Sequence, residues 1–285
     1  MDIKTFYHQD TSSFTYIAYD QQTKDAIIFD PVLDYDKASS TVSYQFADEL
    51  VNFLEENNLN LHYIIESHVH ADHLTAAQYL KSHFTDAKTA VSTNITLVQK
   101  TFSKIYNLPE LLTDGSQFDC LFADGDEIKA GVITLKVIHT PGHTPTCMST
   151  LIDDCLFTGD TLFIPDFGTG RCDFPNGSAE ELYLSVSEKL YTLPDHTRVF
   201  VGHDYQPGGR ELRSETSIVE SKTENIQLTA TTSKKEFVEF RTERDKLLNT
   251  PELLLPSIQV NIQAGHLPIP EANNVRYLKI PISEH

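Results

Sequence analysis

The chain has 285 residues, 40% of them hydrophobic and 22% charged, a composition that suits a globular protein with a sizeable buried core. A formal net charge of −19 works against phosphate backbones and anionic lipid heads, so nucleic-acid and membrane partners are not expected. No apolar run approaches the roughly 20 residues that cross a bilayer, and the polar start MDIKTFYHQDTSS lacks a secretory apolar region, so a cytoplasmic location is the expectation.

In chain order, FTYIAYD (14–20) and DAIIFDPV (25–32) read as a strand pair around the polar turn QQTK. SYQFADELVNFLEE (43–56) has apolar residues at helical spacing. LHYIIES (61–67) reads as a strand and HLTAAQYLKSHF (73–84) as the helix after it, with Asp72 and His73 at its start. The stretch 86–130 has the look of an insertion. VITLKVIHT (132–140) is a strand stopped by Pro141-Gly142, and MSTLID and CLFTGD are adjacent strands. SAEELYLSVSEKLYTL (178–193) is a helix with a capping box at Ser178 and Glu181. TRVFVGHD (197–204) is a strand, with helical stretches near 214–229 and 234–248. Alternating strands and helices indicate an α/β protein.

Cys120, Cys147, Cys155 and Cys172 form no CxxC pair, so they read as separate free thiols, with Cys120 and Cys155 as small buried apolar groups. The histidines carry more information. His68, His70, Asp72 and His73 fall within one short string, HVHADH. In an extended loop His68 and His70 point the same way, and such a cluster forms a cation site at little loop-closure cost. His143, Asp160 and His203 each follow a strand end and a glycine (TPGH, FTGD, VGH). Strand ends of α/β sheets are where loops assemble sites. His139 competes with His143 but lies inside a strand, where packing is the simpler role. His8, His62, His83, His196, His266 and His285 have no such setting and read as surface residues.

The ordered set HVHADH, TPGHT, FTGDTLF and VGHDY resembles the metallo-β-lactamase superfamily, over most of residues 14–205. The resemblance implies an αββα sandwich, two sheets face to face with helices outside. It implies a single domain over 1–285 whose C-terminal helical and tail extension starts at about 206. In two-metal relatives one ion would take His68, His70 and His143, and the other Asp72, His73 and His203, with Asp160 bridging. GTGRCDF (168–174) is similar to the GxGRxDF segment of persulfide dioxygenases, the group that includes the ethylmalonic encephalopathy protein. Glyoxalase II usually has a GRFFEG-like stretch there. Residues 255–262 and 274–281 are similar to the tail of a bacterial branch of these dioxygenases, and no fused rhodanese domain is expected.

What this resemblance implies is one Fe(II) per chain on His68, His143 and Asp160, with glutathione persulfide and O2 as substrates. His70, Asp72, His73 and His203 would then orient ligands and handle protons. Two Zn(II) remain the alternative, because the full binuclear ligand set is present. A glyoxalase II-like thioester hydrolase and a non-catalytic metal-binding module stay open as functions, and a homodimer as an assembly. For the carboxylates of glutathione, Arg171 and Tyr205 flank ligand-bearing loops, although a loop salt bridge is equally open for Arg171. Met148, Cys147 and Cys172 are candidates for the thiol end. Arg210, Arg213 and Lys222 are weaker candidates for the carboxylates.

Overall fold

A computed structural model describes residues 1–282, so His285 lies outside the described residues. The chain opens with β1 (Asp2–His8), β2 (Ser13–Tyr19) and β3 (Asp25–Phe29), an antiparallel meander. Next come β4 (Val32–Asp36), β5 (Thr41–Ser43), α1 (Gln45–Glu56), β6 (Asn60–Ile65), β7 (Leu74–Thr75), α2 (Ala77–His83), β8 (Lys88–Ser92), α3 (Ile95–Ile105) and β9 (Cys120–Phe122). The second half runs β10 (Glu127–Ala130), β11 (Ile133–His139), β12 (Met148–Ile152), β13 (Cys155–Gly159), α4 (Ala179–Leu184) and β14 (Arg198–Val201). It ends with β15 (Glu215–Ser217), α5 (Ile218–Glu224), α6 (Lys234–Asp245) and α7 (Leu254–Asn261). One six-stranded sheet has the order β1-β2-β3-β6-β8-β9, and a second the order β10-β11-β12-β13-β14-β15. No helix among the described residues is long and apolar enough to cross a membrane.

The continuous apolar runs of β2 and β3 follow from burial on both faces. Side chains alternate with period two, so Phe14, Tyr16, Ile27 and Phe29 enter the core between the sheets. There Phe29 stacks on Phe157 of the second sheet at 4.3 Å between ring centroids. Ile17, Ala26 and Ile28 face the other way, against Leu50 and Leu54 of α1 and Leu80 of α2. On the second sheet's side, Leu182, Val186 and Phe237 close the same core. The architecture is thus the αββα sandwich expected above.

Several expectations need correction. The 86–130 stretch is no insertion: it supplies β8 and β9 of the first sheet, α3, and the edge strand β10. β8 and β9 are short and pair in parallel across long loops, so neither length nor a turn marks them. The first turn of the helix expected at 73–84 is missing, because Leu74–Thr75 pairs with β4 and α2 starts at Ala77. Asp72 and His73 therefore sit in a loop. Of the 214–229 stretch, Glu215–Ser217 joins β14 as a strand and only Ile218–Glu224 is α-helical. Ser178 accepts the Glu181 N–H at 3.2 Å, whereas the reciprocal box forms at Ser233 and Glu236. Beyond Leu184 that helix loosens into a π turn and a 3-10 turn ending at Thr192. The polar N-terminus forms β1, which sequence reading did not assign.

Candidate metal centre

Each candidate ligand's position follows from a strand that stops short of it. β6, β11, β13 and β14 end at Ile65, His139, Gly159 and Val201, and their loops present His68, His143, Asp160 and His203. Close packing of these loops needs glycine. Gly159 has φ +48, and a Cβ there would lie 2.2 Å from Ser67 Oγ. A Cβ at Gly202 would lie 2.7 Å from Asp160 Oδ1.

His68, His143 and Asp160 meet: one ligand atom from each lies within 4.8 Å of the others. His143 Nε2 is 3.6 Å and His68 Nε2 4.0 Å from Asp160 Oδ2. His70, Asp72 and His73 form an adjoining group of the same kind. His203 bridges the two, its Nε2 3.4 Å from Asp72 Oδ2 and 3.3 Å from Asp160 Oδ1. All seven side chains of the sequence-derived set therefore converge on one region.

Hydrogen bonds behind the rings fix which nitrogen faces inward. His143 Nδ1 lies 2.6 Å from the Arg171 carbonyl and His203 Nδ1 3.1 Å from the Ser12 carbonyl. Each Nδ1–H donates to that oxygen, which leaves the Nε2 lone pair pointing into the centre. His68 Nδ1 is 2.9 Å from Ser67 Oγ, with the same result. His70 is turned the other way. Its Nε2 faces Asp30 at 3.0 Å and Glu66 at 3.4 Å, and its Nδ1 points inward.

Four inward atoms, His68 Nε2, His70 Nδ1, His73 Nε2 and Asp160 Oδ1, are buried without any hydrogen-bond partner. A buried polar group left unpaired costs about 1–3 kcal/mol. A shared cation among them removes that cost, so the donor set fits a metal. Burial, followed by the neighbouring His70 and His143 rings, holds the His68 pKa well below its ordinary value, so this imidazole is neutral, as a ligand must be. Burial opposes charge on His70 as well, but the Asp30 carboxylate and its hydrogen bond outweigh burial and raise the pKa well above the ordinary value.

A cavity of about 310 Å³ opens on this centre, walled by His143, Asp160, Arg171, Tyr205, Arg241 and Arg244 with Phe163 and Phe167. Arg171 and Tyr205 therefore line this cavity. The Arg171 guanidinium is gripped by Asp173, two contacts at 2.5 Å, and donates to the Asn249 carbonyl at 2.8 Å. Tyr205 lies parallel to the His203 ring at 5.4 Å. Met148 is a correction. Its β12 position turns it into the inter-sheet core, where it is 1% exposed, away from the cavity wall. Cys147 and Cys172 are buried as well, with Cys147 Sγ accepting from Thr144 N–H at 3.3 Å. All four cysteines are free, and Cys120 is half-buried. Arg210, Arg213 and Lys222 are ion-paired elsewhere, to Asp166 and Asp204, Glu220, and Asp195. His139 is held at 3.0 Å by the Phe122 carbonyl, outside the cluster.

Sequence reading missed Arg241 and Arg244, which lie on α6, far from any ligand motif. Arg241 is 2% exposed, and its two terminal nitrogens are engaged by Asp245, Gln227 and the Thr169 carbonyl. Arg244 has no acidic partner within ion-pair distance among the described residues. It also missed His8, which is buried beside Asp34.

Residues 10–203 match the sequence profile described as the metallo-beta-lactamase superfamily. The chain belongs to that superfamily. Within it, the chain is 47% identical to "Glyoxylase B2" of Dictyostelium discoideum, across 99% of this chain and 97% of that one. It is 46% identical to a "Beta-lactamase hydrolase-like protein" of Xylella fastidiosa but spans only 64% of that protein's length. The human "Persulfide dioxygenase ETHE1, mitochondrial" is 31% identical over 89% of this chain and 84% of its own. Among solved structures, ETHE1 from Myxococcus xanthus superposes with a TM-score of 0.76 at 32% identity, covering 93% of this chain and all of that one. The names of these relatives divide between a hydrolase and a dioxygenase.

Proposed function

We propose that this superfamily member is a persulfide dioxygenase that converts glutathione persulfide, O2 and water into glutathione, sulfite and two protons. The observation that carries the reading is the His68, His143 and Asp160 group, two imidazoles and one carboxylate gathered beside a cavity that His143 and Asp160 line. Iron(II) held by such a set supplies redox chemistry and open coordination positions for a sulfur and O2 side by side. Similarity to the human and Myxococcus proteins, and the GTGRCDF segment, favour this choice.

The protein's own residues bind and orient. Phe163 and Phe167 give the cavity an apolar side that excludes water from the sulfur. Arg244 offers an unpaired cation at the mouth, which a substrate carboxylate needs on a surface of net charge −19. Asp72 and His73, beside the metal group, are held to hydrogen-bond with reacting water.

The second reading is a binuclear thioester hydrolase of the glyoxalase II kind, with both ions lowering the pKa of a bridging water. The inward, unpartnered His70 Nδ1 and His73 Nε2 favour it, as does the name of the Dictyostelium relative. Metal analysis and assay of protein purified without air separate the two. One iron per chain and O2 uptake with glutathione persulfide support the dioxygenase. Two zincs per chain and lactate release from S-lactoylglutathione overturn it. Turnover of neither leaves a metal-binding module.

Two variants refine this. His70→Ala is expected to keep one metal per chain if the centre is mononuclear, measured as iron after anaerobic purification. Loss of all metal would move the assignment to the binuclear form. Arg244→Ala is expected to raise KM for glutathione persulfide about tenfold, the order of one charge-assisted hydrogen bond. A small organic persulfide without carboxylates should show little change. Arg171→Ala should have the weaker effect, since that guanidinium is already spent on Asp173. Equal KM changes for both substrates would remove Arg244 from substrate binding.

A further inference from the structure

The turn between β1 and β2 carries polar side chains that the reaction described so far does not use. His8 ends β1 and is 8% exposed. Its Nδ1 lies 2.8 Å from Thr11 Oγ1. Thr11 Oγ1 lies 2.7 Å from Ser13 Oγ, a bond in which either oxygen can donate. Ser13 is 1% exposed, and its Oγ lies 3.3 Å from Asp72 Oδ2 and 3.5 Å from His73 Nδ1. At the other end His8 Nε2 lies 3.3 Å from Asp34 Oδ1. Asp34 is fixed in turn by the Phe46 N–H at 3.0 Å, and the Phe46 ring stands edge-on to the imidazole at 5.0 Å.

These contacts make an unbroken hydrogen-bonded line from Asp72 and His73 to His8 along a groove that adjoins the arginine-lined cavity, the two sharing Asp72, Tyr205 and Pro251. That groove has a volume of about 640 Å³ and is charged by Asp10, Asp34, Asp36, Lys37 and Glu252. The line contains two hydroxyls, which donate and accept at once, and one imidazole, which can take a proton at one ring nitrogen and release one from the other. Among the groove's carboxylates, Asp34 on β4 is the one in contact with the imidazole.

We propose that Ser13, Thr11 and His8 form a proton relay that exports the protons released by turnover into the acidic groove. The proposal rests on the reading that this centre catalyses a proton-releasing reaction. Persulfide oxidation releases two protons per turnover and thioester hydrolysis one, so the relay serves either chemistry. The Ser13 oxygen takes a proton from the centre while its own hydroxyl proton passes to the Thr11 oxygen. The Thr11 proton passes to His8 Nδ1, and the proton on Nε2 leaves to Asp34 or groove water. Only O–H and N–H bonds change, and one proton enters for each that leaves. Hydroxyl rotation and exchange of the ring protons with groove water reset the line.

Thr11→Val keeps the shape and removes the hydroxyl, and His8→Ala removes the imidazole. Both should keep wild-type metal content and KM while kcat falls about tenfold or more, as loss of a positioned proton carrier does. Added imidazole should restore His8→Ala, because the groove holds it next to Thr11, and should not restore Thr11→Val. Thr11→Ser should recover most of the loss, which separates the relay from a folding defect. A readout without turnover is the 15N NMR signal of His8 Nδ1 in metal-free protein. It should sit at a hydrogen-bonded position in the wild type and move in Thr11→Val. Unchanged kcat in Thr11→Val, no response of His8→Ala to imidazole, or an unmoved Nδ1 signal would each overturn the relay, with groove water then carrying the protons. A wild-type protein that turns over neither substrate sinks the functional reading instead, and the NMR comparison still decides the hydrogen-bonded line.

Discussion

His143→Ala is expected to lose bound iron and turnover together, measured as iron per chain after anaerobic purification and as O2 uptake with glutathione persulfide. The imidazole is one of three side chains in the group, and its Nε2 is aimed by the 2.6 Å bond from Nδ1–H to the Arg171 carbonyl. Alanine leaves His68 and Asp160 facing each other 4.0 Å apart, too few donors to hold a divalent ion against water. Asp160→Ala should behave the same way. Ser67→Ala is the graded counterpart: it removes only the oxygen behind His68 Nδ1, and a lost orienting partner costs about 10–100-fold in metal affinity. Full iron in folded His143→Ala would show that the ligand assignment is wrong.

Arg241→Met is expected to destabilise the fold by roughly 3–5 kcal/mol, the range for removing one partner of a buried ion pair. Arg241 and Asp245 lie one helical turn apart on α6, 2% and 6% exposed, with 2.5 Å between Nη2 and Oδ1. Methionine fills the space but strands the Asp245 carboxylate in the interior. The other Asp245 oxygen holds the Cys172 N–H at 2.8 Å, next to the Arg171 carbonyl that aims His143. The same substitution should therefore weaken metal binding at a distance. Urea unfolding reads the first effect as a lower midpoint at unchanged slope, and metal titration reads the second. Replacing both partners with apolar residues should recover much of the stability. A stability loss under about 1 kcal/mol would show that the pair is not buried in solution.

How much of this was legible in the sequence differs from element to element. β2 and β3 were readable because each is an apolar-rich run bounded by turn residues, β6 from its apolar Ile64 and Ile65, and β11 because apolar and polar residues alternate along it before Pro141-Gly142. α1 was readable because its apolar residues repeat at helical spacing through two faces of contact. β8 and β9 were not, because each is a few residues long and gains its stability from a neighbour reached through a distant loop. Pairing of Leu74–Thr75 with β4 likewise overrode a helical pattern, since a backbone partner is invisible in the sequence around it. Met148 shows the same gap for side chains. Its nearness to His143 in sequence suggested the cavity, while strand alternation sent it into the core.

The sequence alone named the candidate donors: HVHADH and the three Gly-preceded residues at strand ends supply the side chains that converge on the centre, because short-range spacing fixes which residue types a loop can offer. Tertiary structure decided what surrounds them. Arg244 comes from α6, His8 and Thr11 from the first hairpin, and Asp30 from the end of β3, segments that meet the centre only through sheet pairing and core packing. The physical reason is range. Periodicity and turn chemistry act over a few residues, whereas substrate charge, proton paths and ring orientation are set by groups brought together across most of the chain.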